Sequence, residues 1–484
     1  MFSGEIWILL FQLKNPPTNC TIVQKNVKFV RCFVAWINAI IKQILKIQFC
    51  LFGFCFSDRN CFSRMPAVGF QMPGDEGFAE EKQRLTKNEE ELLLKEIRVG
   101  IIGTGMISHT HMQRYAKIPN AKVVAACDLN QEKLDAWRAQ YGVESGYTDY
   151  RELLKRDDID AVDVCLHNNL HVPMALEVLK AGKHCYCEKP MAGSYADAKF
   201  LYDFAKTCGK ELSIHLEALF FPQSRVAKEM VDNGALGKVY HARSVGYRRR
   251  MRPGLDITGP ALFQPEFLTA EYAGHGALYD MGVYHISQIL YILGIPKLER
   301  VSGMTYQEIG ADPRALEGKK FEVEELGLGF AKYENGLTLD ILESWAIHMD
   351  NIGDSFVVGT KGGLRLPYQL EYQDQVLKYM NLVNGQTTEA EIRFDENEEI
   401  NRTIDPNLFY NVNDQAHWIA YLSGQIPERI DTAWLALQTM LVSEGIFLSG
   451  KLGREVTVDE IEAMSESNAI RVQKTPYGSF QYDF

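Results

Sequence analysis

The sequence predicts an α/β chain in two parts, a doubly wound parallel sheet followed by an α/β unit with an open, mainly antiparallel sheet. Three observations carry this. Strand-like apolar runs at 98–102, 123–126, 161–166, 184–187 and 212–216 alternate with helical stretches of about 10 to 15 residues, the signature of βαβ units. After about Gly237 the pattern shifts to longer strand candidates at 238–247, 298–306, 328–333, 337–345 and 355–358. A glycine-rich loop, Gly103-Thr104-Gly105-Met106-Ile107-Ser108, follows the first strand directly.

Each element has its local reason. Parallel strands buried on both faces read as continuous apolar runs. In the second part, Glu334-Asn335-Gly336 lies between two strand candidates and supplies the turn of a hairpin, so this sheet is mainly antiparallel. Segments 414–422 and 433–448 have helical periodicity, and the chain carries no internal repeat.

Composition bounds the function. The 484 residues are 46% hydrophobic and 24% charged, which excludes a disordered or fibrous chain. A net charge of −12 offers no general attraction to nucleic acid or to a membrane surface. The average hides a break: residues 1–64 carry a net +6, which leaves −18 on the rest. That first piece also holds Cys20, Cys32, Cys50, Cys55 and Cys61, at spacings that suit neither zinc nor a disulfide scaffold. The other five cysteines lie on apolar runs between Cys127 and Cys208 and read as buried reduced thiols of a cytoplasmic protein. Apolar stretches 33–41 and 47–56 are separated by Lys42 and Lys46 and fall short of the roughly 20 residues a spanning helix needs. The expected organisation is an atypical extension outside the fold at 1–64, an acidic helical arm at 65–96, a dinucleotide-binding domain at 97–220, an α/β domain for substrate and assembly at 221–466, and a tail at 467–484.

The glycine loop carries the first chemistry. Gly103 allows a tight turn, Gly105 lets a pyrophosphate approach the backbone, and small Ser108 lets the helix pack on the strand, with Met106 and Ile107 opening that helix. Asp128 ends the next strand, 20 residues past Ser108, where a carboxylate accepts from the adenosine ribose and repels a 2′-phosphate. No Arg occurs in Leu129-Asn130-Gln131, so NAD is expected as cofactor rather than NADP. Two further stretches, Cys165-Leu166-His167-Asn168-Asn169-Leu170-His171 and Cys187-Glu188-Lys189-Pro190, end parallel strands. Asn168, His171, Glu188 and Lys189 are thereby expected beside the cofactor. Lys189 there could hydrogen-bond a substrate oxygen and stabilise developing charge. His167 and His171 lack a third ligand at suitable spacing, so no metal is expected.

On these residues the chain resembles the Gfo/Idh/MocA oxidoreductase family, over about 97–458. The likeness rests on Gly103-x-Gly105, Asp128, the Asn168/His171 loop, Glu188-Lys189-Pro190, and Gly274-His275-Gly276-Ala277-Leu278-Tyr279-Asp280-Met281-Gly282-Val283-Tyr284. Gly359-Thr360-Lys361-Gly362-Gly363 and Gly450-Lys451-Leu452-Gly453-Arg454-Glu455-Val456 add to it. The resemblance implies an N-terminal Rossmann dinucleotide-binding domain, a C-terminal α/β domain whose open sheet supports a homo-oligomer, and a sugar or cyclitol in the cleft. It also implies that Lys189 and Asp280 are catalytic.

One departure matters. Many members carry His four residues after that Asp, whereas this sequence has Tyr284 there and His285 next. On a helix, residues four apart share a face and the fifth turns away. Tyr284, helped by the Lys189 ammonium, is therefore the expected proton-transfer residue, with His285 the alternative should the element begin irregularly. Arg248, Arg249, Arg250 and Arg252 read as an anion-selecting group or a solvated loop. Glu343-Ser344-Trp345-Ala346-Ile347-His348 reads as a sugar platform or edge packing. The expected reaction is NAD-dependent hydride transfer to or from a secondary hydroxyl of a sugar, cyclitol or glycoside. Two alternatives stand beside it: a glycosidase or lyase with tightly bound NAD, and a non-catalytic sugar and dinucleotide sensor. A chain starting at Met72 should fold and bind dinucleotide as the full chain does; lost affinity or lost soluble expression would show that the extension belongs to the fold.

Overall fold

The first strand begins where an apolar run can be buried on both faces. In β1 (Ile97–Ile102), Ile97, Val99 and Ile101 have no exposed surface, as a central parallel strand requires. The computed structural model describes residues 95–248, 268–310, 320–366, 376–394, 413–475 and 478–484. The basic extension, the arm up to residue 94, and Arg249, Arg250 and Arg252 lie outside the described residues.

β2 (Ala121–Cys127), β3 (Ser145–Tyr147), β4 (Ala161–Val164), β5 (His184–Cys187) and β6 (Leu212–Ile214) join β1 in a parallel sheet ordered β3-β2-β1-β4-β5-β6. Strand order reverses at β1, which opens a crevice at the carboxyl ends of β1 and β4. The crossover helices are α1 (Met106–Tyr115), α2 (Gln131–Tyr141), α3 (Tyr150–Leu154), α4 (Asn168–Lys180) and α5 (Tyr195–Cys208). Asn130, Asp149 and Ser194 each accept a backbone N–H at the start of α2, α3 and α5, which satisfies donors a helix leaves unpaired. β3 escapes sequence reading because three half-buried residues carry no period.

The second part contains α6 (Pro222–Asp232), α7 (Ala270–Ala273), α8 (Ala277–Asp280), α9 (Gly282–Ile292), α10 (Asp414–Leu422), α11 (Thr432–Leu452) and α12 (Val458–Met464). Its sheet comprises β7 (Val239–Tyr247), β8 (Leu298–Tyr306), β9 (Leu326–Tyr333), β10 (Thr338–Ser344), β11 (Ser355–Gly359), β12 (Gly362–Leu366), β13 (Val376–Val383), β14 (Gln386–Arg393) and β15 (Val456–Thr457). The order is β14-β13-β12-β11-β7-β10-β9-β8-β15, antiparallel except where β7 meets β10. Between β9 and β10, Asn335 and Gly336 both take positive φ, 61° and 75°, a sense of turn that matches strand twist.

Alternation then sorts the two faces. Ala331, Leu339 and Ile341 point under the helices and are fully buried, whereas Phe330, Met304 and Tyr306 face outward and are exposed. α11 lies close on the covered face because Gly303 and Gly329 leave room for Ile446. Residues 467–484, a featureless tail by sequence, form a hairpin of β16 (Val472–Thr475) and β17 (Gly478–Gln481) that packs on the first sheet's helices. Among the described residues no helix is long and apolar enough to cross a membrane.

Gly329→Ala drives a methyl group into the Ile446 side chain and should cost about 1–3 kcal/mol, read by urea unfolding. Adding Ile446→Ala, which frees the space, should make the alanine at 329 cost less than in the parent background.

Candidate active site

A cleft of about 600 Å³ runs along the carboxyl ends of the parallel strands, within the range of small-molecule sites. Gly103 begins it at φ 98°, where a side chain would run into the Cys165 carbonyl. Gly105 then caps α1 with no side-chain cap bond, and no acidic residue occupies the first turn. The leading N–H groups of α1 are thus left for an anion, as a pyrophosphate requires. Gly103, Gly105, Met106 and Ile107 all line the cleft.

Asp128 first organises that loop. Its Oδ2 accepts from the Thr104 amide and hydroxyl, both at 2.8 Å, and its Oδ1 accepts from the Asn130 amide at 2.9 Å. A carboxylate still has lone pairs for a ribose. Lys133, which the sequence reading did not single out, brings its ammonium to 3.5 Å from Asp128 and lines the same end. The loop, the uncapped helix and this carboxylate fit a dinucleotide.

At the other end, Lys189 follows β5 and donates from Nζ to Asp280 Oδ1 at 3.0 Å and to the Asp280 carbonyl at 3.2 Å. The Trp345 indole holds Asp280 Oδ2 at 2.9 Å. Fully buried, Trp345 is a brace for Asp280 and not a sugar platform. Burial works against the Lys189 charge, but Asp280, Tyr284 and Glu188 outweigh it and hold the ammonium above its usual range. That ammonium sits 4.5 Å from the centre of the Tyr284 ring. Burial pushes the phenol up to about 12 despite Lys189, so the ammonium does not bring it near neutrality as the sequence reading expected. A Met281 link separates α8 from α9, yet Tyr284 still reaches the cleft. His285 turns away and pairs through Nδ1 with Glu343 Oε2 at 2.9 Å. Gly246 leaves the space this pair occupies.

Asn168 opens α4, lines the cleft, and donates to the Ala273 carbonyl at 3.1 Å, tying the two parts together. His171 stands behind the wall: fully buried, its ring nitrogens meet the Pro190 carbonyl at 2.6 Å and the Leu166 carbonyl at 3.0 Å. It does not line the cleft, so instead of touching a cofactor as expected it positions the loops on either side. Lys189-Pro190 is a cis peptide.

Below lies a charged network that periodicity could not reveal. His111 contacts Asp163 Oδ2 through Nδ1 and Glu188 Oε1 through Nε2, each at 2.8 Å. Both nitrogens face carboxylates, so both donate and the ring is an imidazolium. His215 Nδ1 lies 2.7 Å from Asp414. Burial opposes charge on Glu188, but His215 and His111 bring its pKa down to about 2. His111, Glu188 and His215 cluster closely enough to suggest metal ligands. The 2.8 Å contact is a hydrogen-bond distance, shorter than the roughly 3.3 Å between ligand atoms around tetrahedral zinc. One signal was available: Asp163 interrupts an otherwise apolar parallel strand, where a charge needs a partner.

Known proteins share these features. Residues 97–216 match an oxidoreductase family described by its NAD-binding Rossmann fold, and residues 224–365 match the GFO/IDH/MocA C-terminal domain. The D-glucoside 3-dehydrogenase of Escherichia coli is 28% identical over 59% of this chain and 82% of its own length. The myo-inositol 2-dehydrogenase of Thermotoga maritima is 28% identical over 58% and 85%. A levoglucosan dehydrogenase solved with NADH superposes with a TM-score of 0.62 over 75% of this chain and 99% of its own, at 20% identity, which is a likeness of fold.

Glu188 has its pKa at about 2, below the ordinary ~4.3, so its contribution is whole above pH ~4.3 and is lost as pH falls towards 2. Glu188→Gln should melt lower than wild type at pH 7 and lose less stability across that acid window. Thermal unfolding at stepped pH measures both, and an unchanged acid slope would rule out the charge pairing as its cause.

Proposed function

The chain belongs to the Gfo/Idh/MocA family of NAD-binding oxidoreductases, and on that premise we propose that it oxidises a secondary hydroxyl of a sugar, cyclitol or glycoside, or reduces the corresponding ketone. The observation that carries this reading is the Lys189–Asp280–Tyr284 group, whose Lys189 and Tyr284 line a cleft that begins with a dinucleotide loop. The named relatives act on a glucoside and an inositol, which supports the substrate class.

Bound NAD supplies the carbon that accepts or returns hydride. The proposed residues then divide the work on the hydroxyl. Lys189 holds the substrate oxygen and stabilises the alkoxide character that grows on it. Asp280 keeps the ammonium charged and aimed, and Trp345 keeps Asp280 from rotating. Tyr284 is the proton-transfer residue, because Lys189 is committed to its counterion and His285 is engaged with Glu343. With Tyr284 protonated near neutrality and Lys189 held charged beside it, the phenol is set to donate a proton in reduction. Oxidation requires a proton to leave first, so it should quicken towards alkaline pH.

Assembly belongs to the same proposal. The outward face carrying Met304, Tyr306 and Phe330 supports a homo-oligomer formed through the second sheet.

Lys189→Ala should cut turnover by on the order of 10² to 10⁴ while dinucleotide binding is largely kept. Tyr284→Phe should lower turnover with little change in melting temperature and flatten the alkaline rise of the oxidation rate, whereas His285→Gln should cost stability first. Rates over a panel of sugars, inositols and glycosides, measured across pH, test this. Near-normal turnover in Tyr284→Phe together with a slow His285→Gln would transfer the role to His285.

A further inference from the structure

The cleft has a wall that neither the glycine loop nor the catalytic group supplies. After α12 the chain returns to the first sheet and is fastened there. Asp197 Oδ2 accepts the Asn468 and Ala469 amides at 2.9 and 3.0 Å, Asn468 Nδ2 donates to the Gly193 carbonyl at 2.8 Å, and the Ile470 amide donates to the Asn169 carbonyl at 3.0 Å. Farther on, Lys180 Nζ donates to the Asp483 carbonyl at 2.8 Å.

The hairpin so anchored presents Gln473 and Phe480, opposite each other in register, and Tyr482 just beyond. Phe480 packs edge-on against Tyr150, with ring centres 5.5 Å apart, and the Arg151 guanidinium covers it at 5.0 Å. Tyr482 stacks on Tyr150 with centres 6.1 Å apart, and its hydroxyl donates to Gln473 Oε1 at 2.9 Å. Phe480 and Tyr482 are buried, while Gln473 is half-buried. All three line the cleft, together with Asp128 and Thr148.

Topology identifies which end this is. Tyr150 follows β3 and Lys189 follows β5, four strands along the sheet order, or about 19 Å at the usual strand spacing. The ribose-facing Asp128 ends β2, beside β3. A dinucleotide laid from Asp128 past Gly105 to Lys189 leaves its adenosine at the hairpin.

We propose that the C-terminal hairpin is a fixed part of the dinucleotide site, with Phe480 and Tyr482 forming the apolar wall of the adenosine end and Gln473 its polar edge. This rests on the NAD-dependent reading above. Flat apolar rings suit a purine, and contact between a base and an aromatic side chain is commonly worth about tenfold or more in affinity. The amide of Gln473, whose carbonyl end is taken by Tyr482, offers N–H donors to the ring nitrogens of a base.

The test measures dissociation constants of the full chain for NAD, AMP and nicotinamide mononucleotide by calorimetry, with the rise in melting temperature on adding each ligand as a second readout. Phe480→Ala should weaken AMP and NAD by the same factor, about tenfold, and leave nicotinamide mononucleotide unchanged. Gln473→Ala, a change at a half-buried position, should weaken both several-fold with the melting temperature of the free protein retained. AMP and NAD affinities equal to wild type in a folded Gln473→Ala and a folded Phe480→Ala would overturn the proposal. Should Phe480→Ala fail to fold, the Gln473→Ala measurement decides. Failure of the underlying reading looks different: wild type would bind AMP, weakened by these variants, yet oxidise no member of the hydroxyl panel.

Discussion

The buried pair of Lys189 and Asp280 is the contact on which the rest of the site depends. It joins the end of a parallel strand to a short helix 91 residues later in the chain. Taking two charges out of water costs several kcal/mol per ion unless each is paired and hydrogen-bonded. Here the ammonium reaches both the side chain and the backbone of Asp280, and the Trp345 indole takes the second carboxylate oxygen. The pair spans the two parts, and its ammonium lies 4.5 Å from the centre of the Tyr284 ring.

Glu188 and Lys189, neighbours in sequence, serve opposite sides of the same strand end. Just beyond β5 both line the cleft, Lys189 reaching Asp280 while Glu188 turns its Oε1 towards His111 and His215. The inner carboxylate is thereby kept ionised and fixed. His171 adds a second anchor at the Pro190 carbonyl. In the function proposed above Lys189 holds one oxygen of a substrate, a role that needs such a base, since small misplacements of a catalytic group are costly in rate.

Other long-range contacts keep the two parts in register. Glu444, on the long helix over the second sheet, accepts from the Tyr195 amide at the start of α5 and from the hydroxyl of Tyr279, the neighbour of Asp280. Asp197 near the same helix start receives the returning hairpin. The first turn of α5 is thus a junction for the active-site helix, the sheet-covering helix and the C-terminal segment.

What the sequence determined by itself was whatever depends on short-range pattern. Continuous apolar runs locate β1, β2, β4 and β5 because parallel strands are buried on both faces. Gly103, Gly105 and Asp128 are legible because a tight turn and a strand-end acid have local signatures. The four-residue spacing from Asp280 to Tyr284 suggested one continuous helix, whereas Met281 divides α8 from α9. Tertiary structure alone decided the rest. His111, His215 and Asp414 come from separate elements and meet only once the chain has folded, and a lone His or Asp carries no period. Trp345 read equally as a sugar platform or as edge packing until its indole was seen on Asp280. Desolvation, a property of the enclosed volume and not of neighbours in the chain, raised Tyr284 to about 12. Residues 467–484 read only as a tail although Ile470 and Val472, and Phe480, Tyr482 and Phe484, alternate along it, because runs this short take their strand state from partners, Tyr150, Asn169 and Asp197, that lie some 270 to 330 positions earlier in the chain.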